Sequence, residues 1–118
     1  MGQLEPRAGE LRERIALRLL SDAPNVAFGI DQSFDAGIAR WAKHEAIHGL
    51  VLRAGVQTDE APTDLFWIRA STGTQPYDIT SNHVLEWRGR RYRVMDTITV
   101  GVAQRFTRIT TKDLGAIV

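Results

Sequence analysis

Residues His83 to Thr99 read HVLEWRGRRYRVMDTIT, two stretches of mixed apolar and charged residues interrupted at Arg88-Gly89. That is how a β-hairpin is written, and no other stretch restricts the possible folds as much. Beyond the interruption Tyr92, Val94, Asp96 and Ile98 fall on one face and Arg91, Arg93, Met95 and Thr97 on the other, the two-residue period of a half-buried strand. Gly89 supplies the positive φ of a tight turn, whereas Arg88 is a poor residue for a type I′ turn, where both central positions need φ > 0.

A strand pair of this kind needs further strands to cover it. Leu11, Glu13, Ile15, Leu17 and Leu19 alternate with Arg12, Arg14, Ala16, Arg18 and Leu20 and predict a strand, although Leu11, Ile15 and Leu19 also share a helical stripe. Ser21 to Gly37, with Pro24, Asn25, Gly29 and three aspartates, reads as a long loop or extended excursion. Ile38 to Leu52 suits helix or strand. Gln57 to Asp64 is a polar linker, Leu65 to Ile68 a buried strand, and Ser71 to Tyr77, with Gly73 and Pro76, a turn or loop. Gly101 turns the chain into a last strand over Arg105 to Thr111, followed by a short apolar tail from Leu114 to Val118. Residues 1–8 have the composition of a flexible arm, which leaves 9–118 as one domain.

Several chemistries are excluded at this level. There is no cysteine, hence no disulfide, thiolate metal site or thiol nucleophile. The N-terminus lacks an apolar signal region and no eighteen apolar residues run together, so the expectation is a soluble protein made in the cytoplasm, with no membrane contact. No glycine-rich phosphate cradle is present, and Ser81, His83 and Asp78 lack the setting of a catalytic triad. The charge of +1 is unevenly placed. Arg88, Arg90, Arg91, Arg93, Arg105, Arg108 and Lys112 outnumber the acids after residue 77, whereas Asp22, Asp31, Asp35, Glu45, Asp59, Glu60 and Asp64 weight the earlier part acidic, an asymmetry that points to electrostatic partners.

One literal catalytic motif exists, His44-Glu45-Ala46-Ile47-His48. On a helix His44 and His48 share a face and bind zinc while Glu45 activates its water. On a strand the two imidazoles stand about 13 Å apart, too far for one ion. The conformation of this segment therefore separates a small zinc peptidase from a protein without cofactor. The tryptophans interleaved with arginines leave a nucleic-acid-binding β-barrel as another reading.

The collinear set Gly9-Glu10-Leu11-Arg12-Glu13-Arg14-Ile15, then Trp41-Ala42 and Gly49, then Ile68-Arg69, Ile79-Thr80, and Val84 to Val94 (VLEWRGRRYRV) resembles the bacteriophage head-tail joining family, also called head-completion or stopper proteins. The resemblance implies a mainly β protein, a small antiparallel barrel with a long mobile loop (Ser21 to Gly37 or Leu50 to Thr63) and at most a short helix near Leu50. It implies a structural virion protein without enzymatic activity or cofactor. As a ring in the connector of a tailed phage or prophage it closes the portal channel and docks the tail, its partners being portal, adaptor and tail proteins, and its free form in the host cytoplasm a monomer. Trp41, Trp87, Gly89 and Tyr92 carry the signature. Arg12, Arg14, Arg91 and Arg93 are the expected interaction surface, facing acidic neighbours or packaged DNA. His83 stands where many members carry arginine.

Overall fold

The computed structural model describes residues 6–24, 30–47 and 61–117. Within them the chain forms seven strands: β1 (Glu13–Pro24), β2 (Ile30–Phe34), β3 (Ile38–Ala46), β4 (Asp64–Arg69), β5 (His83–Trp87), β6 (Arg90–Val100) and β7 (Phe106–Ala116). All pairings are antiparallel. β1 meets β3 along one edge and β5 along the other, so the order β1-β3-β4-β7-β6-β5 closes into a six-stranded barrel without a free edge. Outside the strands there are only two single 3₁₀ turns, Ala8–Glu10 and Val102–Gln104, among the described residues, and no helix there is long and apolar enough to cross a membrane. Pro6, ahead of the first turn, is buried.

Alternation within each strand builds two apolar clusters on opposite faces of the barrel wall. Ile15, Leu17, Ala42, Phe66, Ile68, Leu85, Tyr92, Val94 and Ile109 fill the interior, joined by Ile79 from the 71–82 segment. Leu11, Trp67, Val100 and Phe106 form a second cluster outside, with Leu65 and Ile98 against it. β4 serves both, Phe66 and Ile68 pointing in and Trp67 out, which is why its sequence is nearly uninterrupted in apolar character. The 71–82 segment is pinned over the barrel by three threonine hydroxyls. Thr74 donates to the Arg69 carbonyl, Thr107 to Thr74 and Thr97 to Pro76, each at 2.8 Å.

The structure departs from the sequence-based expectations in three places. Within Ser21 to Gly37, residues 21–24 and 30–34 are extended strand rather than loop: β1 runs on to Pro24 and pairs with β2 from Leu20↔Phe34 to Pro24↔Ile30. The tail from Leu114 is largely strand, since β7 extends to Ala116 opposite Arg90. The alternation in β6 breaks at Met95, where a register shift lies between Val94 and Asp96. Thr97 then pairs with interior Ile109, and Ile98 turns outward, opposite to its expected face. A bulge has that effect because one extra residue reverses the side-chain parity after it. The alternative loop, Leu50 to Thr63, and the short helix near Leu50 lie mostly outside the described residues.

Candidate interaction surface

Both central residues of the β5–β6 turn have positive φ, 51° at Arg88 and 73° at Gly89, so the turn meets the type I′ requirement despite the arginine. Two contacts hold Arg88 there: its guanidinium lies 4.9 Å from the Trp87 ring and donates to Glu13 at 3.0 Å. Trp87 Nε1–H donates to the same carboxylate oxygen, also at 3.0 Å. These hydrogen bonds, Trp87's first, hold the Glu13 carboxyl below its ordinary range. The Trp87–Glu13 bond thus ties β5 to β1, the strand pair that closes the barrel. The Tyr92 ring meets Phe66 edge-on at 5.4 Å, and burial pushes its phenol above the usual range.

His44 faces the same cluster. It stacks on Trp87 at 4.1 Å and its Nε2 stands 2.5 Å from Asp64 Oδ2, while Thr63 donates to Asp64 Oδ1 at 2.6 Å. His44, Glu45 and Ala46 are β3 residues, paired with Phe66, Leu65 and Asp64. The helical face that a zinc peptidase needs is absent over these three positions; His48 lies outside the described residues. No group of three or more histidine and acidic side chains among the described residues is placed to hold a metal ion.

The four arginines expected to form the interaction surface occupy two places. Arg14 is exposed on the outer face of β1, its guanidinium 5.0 Å from the ring of Trp41, and Arg12 lies just ahead of it. Trp41 is 53% exposed, the only tryptophan so placed among the described residues. Arg91 and Arg93 lie on β6 opposite Glu86 and Val84. Arg91 donates to Glu86 at 2.8 and 3.2 Å, Arg18 donates to the same oxygen at 3.3 Å, and both guanidinium groups stack on Phe34. A cleft with Leu20, Phe34, Val84 and Leu114 in its walls opens beside Arg91 and Arg93.

Sequence reasoning missed Arg18 in this cluster and three cations on the face shared with Arg14. Lys43 lies over Trp67 at 5.1 Å, Arg69 over Phe106 at 5.6 Å, and Arg108 pairs with Trp67 across β4 and β7. Strand alternation puts each on its strand's outer face, but only the register aligns them. Without a nucleophile in this array, its chemistry is that of fixed charge and hydrogen-bond donors beside aromatic rings.

A family model described as phage head completion protein matches residues 6–114. The chain belongs to that family. Its members are phage structural proteins, and the fold agrees: protein SF1141 from Shigella flexneri 2a, solved in solution, superposes with a TM-score of 0.67 at 18% identity, over 92% of this chain and 97% of that one. A chain from the virion of a native gene transfer agent particle has a TM-score of 0.63 at 17% identity, over 95% of this chain and 100% of its own. At such identities the likeness is one of fold. No curated protein matches the sequence.

Proposed function

We propose that the protein is the connector component that completes a filled phage head, forming a ring below the portal that closes the DNA channel and receives the tail. Membership of the head completion family, with the match running over residues 6–114, carries the proposal. A closed barrel supports it, because a barrel has no open sheet edges to pair indiscriminately and leaves specific contacts to its surface and projecting parts. Portal or adaptor proteins on one side and tail proteins on the other are the partners, and Arg12, Arg14, Arg91 and Arg93 are charges for those contacts or for the emerging DNA.

Deleting the gene from its phage or prophage tests this. The expected products are full-sized heads and separate tails, with genome lost from the heads, and infectious particles restored by the wild-type chain in trans. Complete, DNA-retaining particles without the gene would exclude the role. Within the proposal, Arg91→Glu/Arg93→Glu particles that assemble but leak DNA would put these arginines at the channel, whereas normal retention removes them from it.

A further inference from the structure

The outer wall of the barrel is a cation and aromatic lattice. Two cross-strand rows run over it. One contains Arg14 and Trp41, then Arg69, Phe106 and Val100; the other contains Lys43, Trp67, Arg108 and Ile98. The following row carries Glu45 and Asp96 and closes the basic area on that side. Glu10 is the single acid bonded within the area among the described residues, and it reaches Lys43 at 3.6 Å from a partly exposed position.

An independent feature marks the same place. Among the described residues only two buried side-chain donors lack a hydrogen-bond partner, Trp67 Nε1 and Arg108 Nε, and they belong to directly paired residues of this wall. Both are donors covered by their neighbours, so an incoming acceptor satisfies them once a covering side chain moves aside. Lys43 lies over Trp67, held by a partly exposed ion pair of the kind that contributes little.

The matching acceptor-rich element is in the chain itself. Residues 20–34 include Asp22 and Asp31 and no lysine or arginine. Their strands, Leu20–Pro24 and Ile30–Phe34, lie past the last β1–β5 pair and, among the described residues, are paired only with each other. Beyond Leu20, whose N–H donates to the Asn82 carbonyl, neither edge is paired among the described residues, and a two-stranded ribbon of this kind is marginal by itself and gains by docking. We infer that the β1–β2 ribbon of one copy docks on the Arg14-Trp41-Arg69/Lys43-Trp67-Arg108 wall of the next. The contact joins two different surfaces, the heterologous kind that closes into a ring. It rests on the ring reading above and names the surfaces that make the ring.

The full chain supplies the test. Two variants are made: a wall variant, Arg14→Glu/Arg69→Glu, and a ribbon variant with neutral amides, Asp22→Asn/Asp31→Asn, which cannot pair with the reversed wall. Sedimentation velocity is run at low salt up to about 1 mM, where a contact with a millimolar Kd is substantially formed. Wild type is expected to self-associate and each variant to lose at least tenfold in affinity while keeping its NMR fold. Mixed together the two variants retain one intact wall and one intact ribbon, so they form a 1:1 dimer and stop there. A monomeric wild type, association unchanged in either variant, or a mixture that stays monomeric overturns the inference. So does a wall variant that still self-associates but loses binding to a single-stranded oligonucleotide, which assigns the wall to nucleic acid. None of these outcomes bears on the gene-deletion phenotype.

Discussion

At the scale of single residues the barrel is held by side chains whose polar ends are given partners at the rim. Phe66 is fully buried between Tyr92, His44 and Trp87. Phe66→Ala should cost about 3–5 kcal/mol in urea unfolding, the usual loss for a buried ring; a loss near 1 kcal/mol would mean the interior collapses around the gap. His83 offers a readout near neutral pH. Burial pulls its pKa below the ordinary 6.5, with Asp35, the Thr80 backbone and Asp78 opposing, and Thr80 N–H lies 3.1 Å from its Nδ1. A histidine with a lowered pKa favours folding above 6.5 and withdraws that support as pH falls through its folded value. Urea midpoints should accordingly fall between pH 7.5 and 5.5, and His83→Gln, whose amide oxygen can still accept from Thr80, should flatten the fall. An unchanged slope would assign the pH response to other groups.

At the scale of elements, glycine tests which turns are built on conformation and which on space. Gly89 has φ 73° with nothing within 4 Å of an added Cβ, so Gly89→Ala meets only the left-handed penalty, about 1 kcal/mol. Gly37, between β2 and β3, has φ 83° and a Cβ there would come within 2.7 Å of Arg18 Cγ and 2.9 Å of the Leu17 carbonyl. Gly37→Ala should therefore destabilise the protein more than Gly89→Ala in the same urea assay; equal losses would show that Arg18 moves away freely. The two turns also show what was legible in the sequence. Alternation marked β1 and the first half of β6, a short apolar run marked β4, β-branched and aromatic composition marked β7, and Gly89 marked the turn of the β5–β6 hairpin. β2 was hidden because Pro24, Gly29 and the aspartates carry turn chemistry into a ribbon. The end of β7 was hidden by Asp113 and Gly115. Nothing in the composition of residues 94–98 announces the bulge at Met95, since its cause is the pairing with β7. The candidate surface was half legible: Arg12 and Arg14 could be assigned to an outer face, but Lys43, Arg69 and Arg108 join Trp41 only through the register of β3, β4 and β7.

At the scale of the whole molecule the barrel and the ribbon should differ sharply in stability. β4 lies between β3 and β7, with Phe66, Ile68 and Trp67 buried on its two faces, so its amides open only when the barrel does. Residues 20–24 and 30–34 have each other as their sheet partners among the described residues, so their hydrogen bonds open without disturbing the interior. In the dilute monomer, amide exchange should be slowest at Phe66, Ile68 and Ile109 and orders of magnitude faster in the ribbon. Raising the concentration should slow the ribbon amides of wild type while leaving those of the wall variant unchanged, because a docked ribbon must undock before it opens. Ribbon amides as slow as those of β4 in the dilute monomer would mean that the ribbon is stable alone, and the argument that it gains order by docking would fail.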